Sequence, residues 1–253
     1  MFTRALTRGI PNTYEAAVVE TSPSEPFDLP LARSQHQAYV HALRQASLEI
    51  IELPPDDRFP DCCFVEDCAL VADGVALITN PGTSSRRGEQ EAIKEVLSRS
   101  FRIEKMTMPA MLEGGDCLRV GKRLFVGKSD RTNEAGIERV REVFEPQGFG
   151  ITAIPVTDVL HLKCVCSGLG TDKIVLGERT IPREYFGDVD VVEIPNHEAY
   201  AANCVSINNT VLMASGFPEM RRTIESLGFN IVPLETSEIR KADGSLTCLS
   251  ILF

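Results

Sequence analysis

Five cysteines, Cys68, Cys117, Cys166, Cys204 and Cys248, each open an apolar run that reads as a strand. The first four runs pass through a turn into a second apolar run. The cysteines are 49, 49, 38 and 44 residues apart. A period of this size marks a repeat architecture, in which one supersecondary unit is used several times around a shared core.

Each unit reads as inner strand, turn, second strand, helix and outer strand. In the first, Cys68–Val71 turns at Ala72-Asp73-Gly74 into Val75–Thr79; a helix over Gly88–Arg99 and a strand over Phe101–Met106 follow. The Asp-Gly pair favours a tight hairpin. The second has Cys117–Val120, Leu124–Val126, a helix over Asn133–Phe144, and Ile151–Val156. The third has Cys164–Ser167, Lys173–Leu176, only a helical turn near Arg183–Phe186, and Val189–Ile194, which explains the short interval of 38 residues. The fourth has Cys204–Ile207, Val211–Ala214, a helix near Pro218–Leu227, and Ile231–Leu234.

The fifth unit stops after Cys248–Phe253. The chain begins with an apolar run, Phe2–Thr7, then a helix over Ala32–Ala46 and a strand over Leu48–Leu53. The N-terminal strand therefore completes the last unit and closes a ring, giving a single domain over residues 1–253 with a central channel. An open solenoid needs polar caps at its ends, and none is legible.

Four polar stretches precede inner strands and so fall at the channel: Asp61-Cys62-Cys63-Phe64-Val65-Glu66-Asp67, Glu113-Gly114-Gly115-Asp116, His161-Leu162-Lys163, and Asp243-Gly244-Ser245-Leu246-Thr247-Cys248. Together they offer a nucleophile, a proton carrier and anionic groups that can hold a cation. Cys62, Cys63, Cys68, Cys117, Cys164, Cys166 and Cys204 read as packing residues. His36 and His41 read as surface residues and His197 as a loop residue. No Cys-x-x-Cys pair occurs, so the spacing of a structural zinc site is missing. The net charge of −10 disfavours nucleic acid as a partner and suits a cationic small molecule. No run is long and apolar enough to span a membrane. The first residues lack the apolar core of a signal peptide, which with eight cysteines points to free thiols and a cytoplasmic location.

Over these stretches the chain resembles the dimethylarginine dimethylaminohydrolases, members of the guanidine-modifying superfamily that also holds arginine deiminases and amidinotransferases. The resemblance runs in order through Phe64-Val65-Glu66-Asp67, Ser85-Arg86-Arg87, Gly114-Gly115-Asp116, Arg131-Thr132-Asn133, Leu160-His161-Leu162-Lys163, Ala201-Ala202-Asn203-Cys204 and Leu246-Thr247-Cys248. It implies an α/β fold: a five-bladed pseudo-symmetric α/β propeller (pentein) with its active site in the central channel. It implies Cys248 as nucleophile, His161 as general acid/base and Glu113 as the carboxylate that orients the histidine. It further implies Glu66, Asp67, Asp243 and the Ala242 carbonyl around a guanidinium. Asp61 and the Val19 main chain would bind the substrate's α-amino end, and Arg86 and Arg131 its α-carboxylate. The implied reaction converts N-ω-methylated arginines to citrulline and an amine through a covalent thiouronium, in a monomer or homodimer.

No metal or organic cofactor is implied; a zinc ion held by Cys248 and His161 would inhibit. The segment Gly9–Val19 corresponds to the family's variable lid and leaves the substrate open. One alternative is an arginine deiminase-like hydrolase that releases ammonia. Another is a non-catalytic protein binding guanidino ligands or zinc on the same scaffold.

Overall fold

The computed structural model describes residues 2–253. Five sheets of three strands each alternate with helices around a ring. The first sheet contains β3 (Ala69–Ala72), β4 (Val75–Ile78) and β5 (Arg102–Lys105), with α2 (Gln90–Leu97) connecting the last two. The second holds β6 (Cys117–Val120), β7 (Arg123–Lys128) and β8 (Gly150–Pro155), with α3 (Glu134–Phe144). The third holds β9 (Cys166–Leu169), β10 (Lys173–Gly177) and β11 (Asp190–Ile194), joined by a single 3₁₀ turn, Arg183–Phe186. The fourth holds β12 (Val205–Ile207), β13 (Thr210–Ala214) and β14 (Asn230–Leu234), with α4 (Pro218–Ser226).

The fifth sheet joins both ends of the chain. β15 (Ile251–Leu252) runs antiparallel to β1 (Arg4–Arg8), with Leu6 opposite Ile251, and β1 runs parallel to β2 (Glu49–Leu53). α1 (Leu29–Gln45) connects β1 to β2. The ring therefore closes through the N-terminal strand, as the truncated last repeat requires.

Local chemistry explains the units. Asp73 and Gly74 both have positive φ, 47° and 78°, which the tight hairpin between β3 and β4 demands. Asn133 caps α3 by accepting the Gly136 N–H at 2.9 Å, and Ile137, Val140, Val143 and Phe144 form its buried face. The apolar residues fall into five clusters, each lying between neighbouring sheets. One joins Leu70 and Leu77 of the first sheet to Leu124 and Val126 of the second. The cluster with Leu6 and Ile251 against Ala69, Ala76 and Ile78 seals the fifth sheet to the first. Each sheet thus buries both faces against its neighbours, and this packing holds the ring shut.

Some expectations shift. The inner strands begin at or just after the first four cysteines, but β15 begins three residues after Cys248. His36 is not a surface residue: it is 1% exposed, because the buried face of α1 is wide enough to include Ala32, Gln35, His36 and Tyr39. Burial holds its pKa down at about 4. A short helix, α5 (Ser237–Lys241), lies before the Cys248 turn where no element was expected.

Candidate active site

Every inner strand is preceded by a 3₁₀ turn: Val65–Cys68, Gly114–Asp116, Leu162–Cys164, Asn196–Ala202 and Thr247–Leu249. The turns pack against one another around the ring, and the last meets the first. The polar stretches of the sequence lie on or beside these turns, so the repeat brings them to one place.

Gly114 and Gly115 make the close approach. A Cβ on Gly114 would lie 2.0 Å from the Glu66 carbonyl oxygen, and one on Gly115 would lie 2.6 Å from His161 Nδ1. Without side chains, the turn lets the imidazole of His161 settle against it. His161 Nε2 is 2.7 Å from Glu113 Oε2, and both residues are buried. Burial opposes charge on His161, but Asp67, the Glu113 hydrogen bond and Asp116 outweigh it and raise the imidazolium pKa to about 9. Asp67 accepts from the Gly115 N–H at 2.8 Å and from Arg86 at 2.6 Å. Burial disfavours its charge, yet Arg86 and His161 hold its carboxyl at about 2.

Cys248 is only half-buried, unlike its four counterparts. Removal from water, together with Glu66 and Asp67, pushes its thiol well above the ordinary range. It lies where two cavities meet. The smaller, about 30 Å³, is lined by Asp61, Asp67, Arg86, Glu113, Arg131, His161, Ala242, Asp243 and Cys248 among others. The larger, about 270 Å³, extends past Glu66, His161, Lys163, Cys164, Tyr200 and Arg240.

Nine of the eleven expected site residues thus share the smaller cavity. Glu66 lies on the larger one instead, with one oxygen paired to Lys163 and the other accepting from Thr247 Oγ1 at 2.7 Å. Val19 does not line either cavity; Val18 does, and its N–H donates to Asp61 at 3.1 Å. Two residues on, the Glu20 N–H donates to Asp243 at 2.6 Å, so the stretch from Val18 to Glu20 is tied to two of these carboxylates. The uniform run Ala16-Ala17-Val18-Val19 carries no side-chain marker of which N–H meets Asp61.

The two arginines differ. Arg86 is buried and engaged, with Asp67 on one nitrogen, Glu89 on two others at 2.9 and 3.2 Å, and the Phe64 carbonyl at 3.1 Å. Arg131 is half-exposed on the cavity wall and pairs with no carboxylate among the described residues. Glu89 was not anticipated; its only signal is its position three residues after Arg86. Burial raises its pKa to about 7, against the pull of Arg86.

Asp116 was quoted in a motif but given no role. It accepts from Ser129 and Thr132 Oγ atoms at 2.6 Å each and from the Leu162 N–H at 2.9 Å. It so fastens the loop bearing Arg131 to the turn following His161. Cys164, expected to be packing, is half-buried and borders the larger cavity. Asp67, Glu113 and His161 each offer a ligand atom within 4.8 Å of the others and could hold a metal ion; Cys248 is not in that group.

Comparison with known proteins settles the family. The family described as N,N dimethylarginine dimethylhydrolase, eukaryotic, matches residues 12–251. The chain belongs to this family. The N(G),N(G)-dimethylarginine dimethylaminohydrolase of Pseudomonas aeruginosa is 38% identical over 228 residues, covering 89% of this chain and 90% of that one. The Streptomyces coelicolor enzyme of the same name is 37% identical, covering 90% and 88%. Among solved structures, a cysteine-to-serine mutant of the Pseudomonas aeruginosa protein complexed with citrulline superposes with a TM-score of 0.96 at 35% identity, over the whole of both chains. The N-terminal domain of ArgZ, an arginine dihydrolase, superposes with a TM-score of 0.88 at 16% identity, a likeness of fold alone. The fold is therefore the five-bladed α/β propeller that the repeat and the resemblance led one to expect.

Proposed function

We propose that this protein hydrolyses N-ω-methylated arginines to citrulline and methylamine or dimethylamine. One observation carries the reading: in a member of this family, Cys248, the His161–Glu113 pair, Asp67, Asp243 and the unpaired Arg131 converge on one cavity.

Arg131 meets the substrate's α-carboxylate, Asp61 with the Val18 region meets its α-amino group, and the guanidinium lies against Asp67 and Asp243. The smaller cavity, at about 30 Å³, has room for little more than water, so the segment around Val18 and Glu20 moves to admit the amino-acid end. In the free protein Cys248 is a thiol and His161 an imidazolium. Entry of a guanidinium beside Asp67 offsets the negative charge that suppresses the thiolate, and the thiol proton leaves to solvent. The Cys248 thiolate attacks the guanidinium carbon. His161 donates its proton to the departing dimethylamine as the C–N bond breaks, leaving an S-alkylthiouronium. Neutral His161 then takes a proton from water, which adds to the same carbon; the C–S bond breaks and citrulline leaves. Asymmetric dimethylarginine and water become citrulline and dimethylamine.

Side chains supply every step, with no cofactor, so dialysis against a chelator leaves turnover intact under this reading. A cytoplasmic location is supported by eight cysteines that are all free thiols; among the described residues no helix is long and apolar enough to cross a membrane. The test is incubation with asymmetric dimethylarginine and, separately, arginine. Citrulline with dimethylamine supports the reading. Citrulline chiefly from arginine, with ammonia, moves the protein to deiminase activity on the same site.

A further inference from the structure

Lys163 is the one lysine buried among the described residues, 8% exposed. Buried lysines are rare unless paired, and this one pairs with Glu66. Burial disfavours its charge, but Glu66 prevails and keeps it cationic. The second oxygen of Glu66 accepts from Thr247 Oγ1 at 2.7 Å. The Thr247 N–H donates to Asn203 Oδ1 at 2.9 Å, and Asn203 Nδ2 donates to the Lys163 carbonyl at 2.8 Å. Lys163, Glu66, Thr247 and Asn203 therefore form a closed ring of hydrogen bonds. Asn203 is itself 2% exposed.

The placement of this ring gives it a consequence. Lys163 is two residues after His161, and Thr247 is one residue before Cys248. The ring thereby joins the turn that carries the acid/base to the turn that carries the nucleophile. β15 has only two residues, and it alone follows the Cys248 turn, so the backbone ladder anchors that turn weakly. Both Glu66 oxygens are engaged inside the ring, one by an internal cation. Asp67 and Asp243 line the smaller cavity beside Cys248, and Glu66 does not.

We propose that Lys163 is a positioning residue for the reaction. Through Glu66, and with Asn203 closing the ring, it fixes Thr247 and so the distance between Cys248 and His161. Glu66 serves this ring rather than the guanidinium. The inference rests on the functional reading above for its kinetic consequence, while the ring itself does not.

The experiment compares wild type, Lys163→Met, Thr247→Val, the double variant and Lys163→Arg, measuring kcat, KM and unfolding free energy with asymmetric dimethylarginine as substrate. A misplacement of about 1 Å at a reacting pair lowers turnover about 100-fold. Lys163→Met is expected to lower kcat about 30-fold with KM changed less than about threefold, a loss confined to the transition state. Lys163→Arg, which keeps the charge and the donor, recovers most of kcat. Thr247→Val lowers kcat in the same way, and the double variant is no slower than the slower single one, because both break one ring. A Lys163→Met kcat within about twofold of wild type overturns the proposal. So does a loss confined to KM, or a double variant that loses the product of the single effects. Where Lys163→Met fails to fold, Thr247→Val decides alone by the same twofold criterion. If wild type releases no citrulline, the functional reading fails on its own. The ring is then judged by unfolding free energies, in which Lys163 and Thr247 couple if it exists and add if it does not.

Discussion

Cys117 and Cys248 occupy equivalent places in their repeats, yet one is sealed and the other opens on two cavities. Cys117 begins a four-residue strand paired over its whole length with β7 and packs in an apolar cluster, 4% exposed. Cys248 is held in a 3₁₀ turn, and the strand after it makes two residue pairs with β1. Four repeats spend their cysteine on the core. The fifth, completed by the far end of the chain, leaves its cysteine outside the ladder and beside the carboxylates of the first repeat. Pseudo-symmetry builds the scaffold, and the departure from it makes the site.

The strongest way to break this comparison is to remove each thiol. Cys248→Ser should abolish turnover by at least about 1,000-fold while leaving the unfolding midpoint near wild type, since a nucleophile is lost but a half-buried side chain of nearly the same size remains. Activity retained by Cys248→Ser would contradict its assignment.

The two arginines sharpen the contrast between scaffold and site. Arg86→Ala leaves Asp67 and Glu89 buried without their cation and should cost about 3–5 kcal/mol in chemical denaturation. Arg131→Ala should leave stability almost unchanged and raise KM for methylated arginine about 100-fold, or about 3 kcal/mol. The reverse pattern would exchange their roles.

His161 gives a pH signature that a packing residue would lack. Its folded pKa of about 9 lies above the unfolded value of 6.5. The stabilisation is therefore complete below pH 6.5 and is lost as pH rises through 9, about 3 kcal/mol in all. Denaturation of wild type and His161→Gly on either side of this window checks it: their difference should shrink as pH rises.

The smallest effect belongs to the sealed thiol. Cys117→Ser places a hydroxyl in an apolar cluster and should cost about 1–3 kcal/mol with kcat intact. A kcat loss equal to that of Cys248→Ser would erase the distinction between the repeats.

The ring was legible because its signals are local: Asp73-Gly74 for a hairpin, Ile137, Val140 and Phe144 for a helix face, and a cysteine every 38 to 49 residues. α5 was not, since five residues are too few to display an apolar period. The stretches holding Cys248, His161 and Glu113 stood out as polar residues set just before apolar strands, and the family resemblance assigned the roles within them. Glu89 could not, because an acid at the start of a helix ordinarily faces water, and only the fold buries it under Arg86. His36 was misjudged for a related reason: a histidine among polar residues gives no sign of how wide the buried face of its helix is. Lys163 stood in a quoted motif, but its part depends on Asn203 and Thr247, which lie 40 and 84 residues further along the chain.

The central claim is that the half-buried thiol of the fifth repeat forms a covalent bond to the guanidinium carbon. The most direct measurement is mass spectrometry of the protein, acid-quenched during turnover of asymmetric dimethylarginine and digested. The account predicts an adduct equal to the substrate less dimethylamine, on the peptide bearing Cys248 and on no other cysteine. Citrulline production with no adduct, or an adduct on another thiol, would contradict it.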